Sequence, residues 1–95
     1  MYHLQVLTPE QVFFDDEVTA LIAYGSEGYL GVLTDHAPLI TALKAGVLII
    51  TDKNNQKSYY QTSEGFLEVY HNKVSILVQS IDASAVVDIG IEGSI

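Results

Sequence analysis

The chain has 95 residues, four lysines, no arginine, twelve acids and no cysteine. That length allows one small domain, and a chain this short buries only about 60–65% of the surface it exposes when unfolded, too little for a large enclosed active site. A net charge of −8 and a pI near 4.4 exclude a nucleic-acid binder, since Lys44, Lys53, Lys57 and Lys73 form no basic patch. Without cysteine there is no disulfide framework, thiolate nucleophile or zinc knuckle. A hydrophobic content of 48% is too apolar for disorder, and no run approaches the roughly 20 apolar residues of a membrane span. Residues 1–43 hold six acids and neither Lys nor Arg, a distribution that either favours a basic partner or keeps a small apolar domain soluble.

In chain order the dominant period is two. Tyr2, Leu4 and Val6 alternate with His3 and Gln5, and Thr8-Pro9-Glu10 follows as a turn. Asp15-Asp16 reads as a second turn. Val18, Ala20 and Ile22 then alternate with Glu17, Thr19 and Leu21. Gly25-Ser26-Glu27-Gly28 and Thr34-Asp35-His36 are further loop signals, and Pro38 to Leu43 reads as a strand or a single turn. Gly46 to Ile50 is a near-apolar, strand-sized run. Asp52-Lys53-Asn54-Asn55 and His71-Asn72-Lys73 each join two strands. Gly46 and Gly65 beside strand patterns suggest bulges or bends. Short strands at this spacing predict an all-β fold, a flattened antiparallel β-sandwich or pseudobarrel of about ten strands. The domain is expected to cover residues 1–82, with residues 83–95 a tail, disordered or adding an edge strand through Val86-Val87 or Ile89 to Ile91.

No catalytic constellation emerges. The three histidines are spread along the chain, none in a Gly-x-Ser-x-Gly elbow, and no His-x-His pair offers two ligands on one strand face. His3 is expected at the start of an edge strand and His71 in a hairpin turn. Asp15-Asp16-Glu17 reads as a solvated turn, since adjacent strand residues face opposite ways. Gly25, Gly28 and Gly31 match neither a dinucleotide fingerprint nor a P-loop. Neither cofactor nor metal is expected. The alternative to a pure interaction domain is a lipoyl- or biotinyl-type carrier module modified at Lys53, whose Thr51-Asp52-Lys53 resembles the Thr-Asp-Lys of those domains; Ile50 and Asn54 break the rest of that pattern.

The most informative stretch is Gly25 to Gly46, GSEGYLGVLTDHAPLITALKAG. Its spaced glycines through Gly31, its His36-Ala37-Pro38-Leu39 and its Lys44 and Gly46 closely resemble the signature region of the epsilon subunit of F-type ATP synthases (the delta subunit in mitochondria). The opening Tyr2-His3-Leu4-Gln5-Val6 with Thr8-Pro9-Glu10 resembles that family too, as do Glu64 to Val69 and Asn72 to Leu77, so the likeness spans about residues 1–80. Thr34-Asp35 stands where the family has Pro-Gly, Ala45 where it has Pro, and Tyr29 where it often has an acid.

The resemblance implies a ten-stranded sandwich that is not an enzyme. It implies a rotor subunit of the central stalk that grips the gamma subunit and rests on the membrane rotor ring, coupling ion translocation to ATP synthesis. The ring contact is then carried by Ser26, Glu27, Gly28, Tyr29 and His36, and the gamma contact by Thr8, Ala37, Leu39 and Thr41. Asp35 is expected to pair with His36 or with a ring arginine. Membrane association is indirect, at the cytoplasmic face of a bacterial inner membrane. Family members usually continue into a helical hairpin after an Ile/Leu-Asp-x-x-Arg-Ala motif. Ile81-Asp82 lacks that Arg, so the chain is expected to be a short form to which the hairpin's ATP-binding and inhibitory roles are not carried over.

Overall fold

The computed structural model describes residues 1–83. Nine strands occupy them: β1 Tyr2–Leu7, β2 Val12–Gly25, β3 Gly28–Leu33, β4 Leu39–Leu43, β5 Gly46–Asp52, β6 Lys57–Thr62, β7 Gly65–Tyr70, β8 Lys73–Val78 and β9 Ile81–Ala83. The all-β expectation is met, and of the two readings of Pro38 to Leu43 the strand is the one found, as β4. Ile81–Ala83 pairs with β6. The edge strand expected through Val86-Val87 or Ile89 to Ile91 lies outside the described residues.

The strands form one sheet in the order β1-β8-β7-β4-β2-β5-β6-β9, with β3 on β2 and a further pairing of β1 with β2. That last pairing closes a circuit through β1, β8, β7, β4 and β2, which makes the sandwich a flattened barrel. The sheet is not wholly antiparallel, because β1 runs parallel to β8, His3 aligning with Lys73 and Leu7 with Leu77. Period-two patterning cannot distinguish the two directions, since side chains alternate in both. Because β1 is paired on both sides, His3 does not lie on an edge strand.

Asp15-Asp16 is not a turn either. It lies inside the 14-residue strand β2, whose first half pairs with β1. His3 reaches across that pairing to both Asp15 and Glu17, the latter at 2.9 Å. A cross-strand cation on the wet face removes the usual cost of acids in a strand.

The second half of β2 serves a different set of neighbours, β3 and β5. The register shifts between Val18 and Ala20, so Thr19 is the extra residue of a bulge, its hydroxyl donating to the Thr51 and Asp52 carbonyls at 3.4 Å each. The bulge reverses the inward phase: Val18 is buried, then Leu21 and Ala23 rather than Ala20 and Ile22. A second register shift lies between Val6 and Leu7. Gly46 and Gly65 mark neither shift; each opens a strand. Gly65 is required by close approach, since a Cβ there would lie 1.9 Å from the Leu77 carbonyl oxygen.

The core is filled by alternate residues: Tyr2, Leu4 and Val6 from β1, and Leu67, Val74 and Ile76 from β7 and β8. Connections therefore collect at two ends. The β1–β2 loop with Thr8, the β2–β3 hairpin and the β4–β5 link share one end. The β3–β4 loop with His36 and the β7–β8 turn with His71 share the other.

Candidate functional site

At the hairpin end, Gly25 pairs with Gly28 and leaves Ser26-Glu27 as a two-residue turn. Gly28 takes a φ of +119°, open to glycine and strained for other residues. The Ser26 N–H donates to the Ala42 carbonyl at 3.2 Å, which fixes the turn against β4. Tyr29 pairs with Tyr24, their rings stacked with centroids 4.5 Å apart, and Tyr29 is 48% exposed. Lys44 is held beneath: its N–H donates to the Tyr24 carbonyl at 2.8 Å and its Nζ lies 5.3 Å from the Tyr24 ring centre. Ser26, Glu27, Gly28 and Tyr29 thus form one compact tip.

His36 is not part of that tip. It follows the far end of β3, and five steps of about 3.3 Å put about 17 Å between Gly28 and Leu33. The turn before it uses Asp35 at a φ of 64°, a left-handed conformation that Asp tolerates better than most residues. The His36 N–H donates to the Leu33 carbonyl at 3.3 Å. Its Nδ1 lies 2.7 Å from the Ala37 carbonyl, an acceptor only, so Nδ1 carries the proton there. Asp35 does not pair with His36; its N–H points instead to the Asn72 side chain at 3.4 Å. The His3 N–H donates to the Asn72 carbonyl, and the His71 ring packs edge-on against Tyr70 with centroids 4.1 Å apart. Histidines far apart in sequence are therefore gathered at one end.

The second predicted group is also divided. Thr8 closes the β1–β2 loop, its hydroxyl accepting from the Gln11 N–H at 3.2 Å. It lines an open groove of about 810 Å³ together with Leu7, Ser26, Leu43, Phe66 and Leu77. Ala37 is exposed at the histidine end. Leu39 and Thr41 are half-buried on β4, and Leu39 packs against the core. Between them Ile40 is 73% exposed.

Sequence reasoning missed the apolar surface around these residues. Leu7, Leu77, Phe66 and Ala42 align across β1, β8, β7 and β4, forming a row that runs into the groove. Phe66 is 60% and Leu77 49% exposed. The signal was present: Ile76-Leu77-Val78 is apolar at three consecutive positions, so a strand there presents apolar side chains on both faces. An apolar patch of this kind on an otherwise acidic domain marks an interaction surface.

Charged groups concentrate along β1 and the first half of β2. Hydrogen bonds donated to Asp15 and Glu17 raise the His3 imidazolium above its ordinary pKa. The Glu17 N–H, 2.7 Å from Asp16 Oδ1, and then Lys53 at 3.4 Å hold the Asp16 carboxyl below its ordinary value. Lys53 stands on the β5–β6 turn as expected, tied to Asp16. Among the described residues no trio of His, Asp or Glu is placed to hold a metal ion.

Comparison with known proteins completes this picture. Residues 1–84 match the family model for the ATP synthase Delta/Epsilon chain, beta-sandwich domain. The chain belongs to that family. It is 40% identical over 87 residues to the ATP synthase epsilon chain of Moorella thermoacetica, covering 92% of this chain and 65% of that one. Against the chloroplastic ATP synthase epsilon chain of Emiliania huxleyi it is 41% identical over 86 residues, covering 90% and 65%. The chain thus spans less than two thirds of the length of these relatives. Among solved structures it resembles a chain of the Euglena gracilis mitochondrial ATP synthase OSCP/F1/c-ring assembly (TM-score 0.80, 26% identity, 84% of this chain and 51% of that one). A chain of the Tetrahymena thermophila mitochondrial ATP synthase central stalk and c-ring shares the fold (TM-score 0.72, 19% identity, 85% and 65%). The resemblance read from the signature region is borne out.

Proposed function

We propose that this chain is a non-catalytic rotor element of an F-type ATP synthase central stalk, binding the gamma subunit and the c-type rotor ring so that ion translocation is coupled to ATP synthesis. The observation that carries the reading is the apolar row of half-buried Leu7 and exposed Leu77, Phe66 and Ala42, continuous with the groove beside Thr8 and Ser26. A torque-bearing part needs a stiff body and a broad contact, and a hydrogen-bonded barrel with one apolar flank supplies both. The relatives named epsilon chain and the likeness to a chain of a c-ring-containing assembly support the same assignment.

In this reading Thr8, Ala37, Leu39 and Thr41, joined by Ile40 and Phe66, meet gamma. Ser26, Glu27, Gly28, Tyr29 and His36 face the ring. The acids of residues 1–43 complement basic ring loops. The chain sits peripherally at the cytoplasmic face of a bacterial inner membrane, held there by its partners. Co-purification of the tagged chain with gamma and ring subunits is the test. Recovery of both supports the proposal, and a monodisperse, folded chain that retains neither overturns it.

A further inference from the structure

Asn72 makes three contacts with segments remote from it in sequence. Its Nδ2 donates to the Met1 carbonyl at 3.1 Å, its Oδ1 accepts from the Asp35 N–H at 3.4 Å, and its own carbonyl accepts from the His3 N–H at 3.3 Å. The backbone that allows this is unusual. His71 and Asn72 have φ values of 50° and 59°, consecutive left-handed residues closing the two-residue turn between the paired Tyr70 and Lys73. Glycine would take that backbone with less strain. A carboxamide adds something that neither glycine nor aspartate has, a donor and an acceptor on one short side chain. Both are used here, one on each of two separate segments.

We propose that Asn72 is a positioning residue that sets the β3–β4 loop, and with it His36, against the first residue of the chain. The route is short. Asn72 fixes the Asp35 amide, and the adjacent His36 is fixed in turn by its bonds to the Leu33 and Ala37 carbonyls. The end of the barrel that gathers the histidines is thereby one presented surface rather than a loop and a separate β1 start. Its use in docking rests on the proposed function; the positioning itself does not.

The test compares the wild-type chain with N72G and N72D by magnetisation exchange of backbone amides with water. N72G keeps the left-handed backbone and loses both side-chain bonds. The Asp35 amide is expected to exchange about threefold to tenfold faster, the equivalent of one modest hydrogen bond. The Leu67 and Ile76 amides are expected to stay protected, which reports an intact hairpin. N72D retains an acceptor for Asp35 and loses the donor to Met1, so it is expected to restore Asp35 protection while the Met1 tether stays lost. Unchanged Asp35 exchange in N72G overturns the proposal, and so does equal loss in N72D. Ring and gamma co-purification of the same variants is a separate arm. If the wild-type chain captures neither partner, the proposed function fails while the exchange data still decide the role of Asn72.

Discussion

The Tyr2 hydroxyl donates to the Val32 carbonyl at 2.7 Å, a buried bond between β1 and β3, which are not paired strands. It therefore ties one side of the flattened barrel to the other. Burial pushes the Tyr2 phenol well above its ordinary pKa, so it stays neutral and remains a donor at all physiological pH values. Tyr2→Phe keeps the ring and removes only the donor, leaving the buried Val32 carbonyl short of a partner. A loss of about 1–2 kcal/mol is expected in urea unfolding. An unchanged midpoint would show that the two sides are held by packing alone.

Two glycines should respond to alanine for different reasons. At Gly65 the added Cβ would meet backbone, the Leu77 carbonyl carbon and oxygen, which cannot move without displacing β8 from β7. At Gly28 nothing lies within 4 Å, and the cost is only that of holding a φ of +119° with a side chain. Gly65→Ala is expected to destabilise by about 2–3 kcal/mol and Gly28→Ala by about 1 kcal/mol. Paired urea titrations check the order, and the reverse order would place the strain at the hairpin tip.

The acids in the first half of β2 make stability depend on pH in two opposite ways. The folded pKa of His3 lies above its ordinary 6.5 because Asp15 and Glu17 bond both ring nitrogens. Its contribution is fully present below the unfolded value and is lost as pH rises through the folded one. Asp16 has a folded pKa below its ordinary 3.8, so its contribution is present above that value and lost as pH falls through the folded one. His3→Gln should therefore lower the urea midpoint at pH 5 relative to wild type, with the gap closing as pH rises above neutrality. A gap independent of pH would assign His3 a packing role only.

What the sequence disclosed and what it hid divide along a physical line. Alternation, turn residues and the His36-Ala37-Pro38-Leu39 signature are local, and they gave β1, the hairpin tip and the family. The parallel pairing of β1 with β8 joins residues about seventy positions apart and leaves no local trace. Asp15 and Asp16 look like a turn until His3 is known to lie across from them. The bulge at Thr19 is a property of the β2–β5 register and not of any residue type. The proposed site residues fall on loops and strands at both ends of the barrel, and the sequence could not say that β3 holds Tyr29 and His36 apart.

The apolar flank should be separable from stability. Phe66 and Ile40 are largely exposed, so Phe66→Asp and Ile40→Asp are expected to change folding stability by less than about 1 kcal/mol. Each places a charge on the row or beside it and is expected to abolish gamma capture in a pull-down. If both variants capture gamma as well as wild type does, the flank is not the interface.

The separation of the hairpin tip from His36 turns one proposed ring contact into two. Glu27 and Tyr29 form one unit with Ser26 and Gly28, and His36 forms another with Asp35, Asn72 and Met1. Residues at opposite ends of a strand and without shared partners act additively. Glu27→Ala with Tyr29→Ala, His36→Ala, and all three together should therefore weaken ring association in independent steps, the triple variant losing the sum in free energy. Proton-pumping assays on the assembled complex should follow the same order, with unfolding midpoints little changed. If His36→Ala has no effect while the tip variant removes all ring binding, the ring touches the hairpin end alone. His36 then belongs to the gamma contact beside Ala37, a result that gamma capture by the His36→Ala variant would check directly.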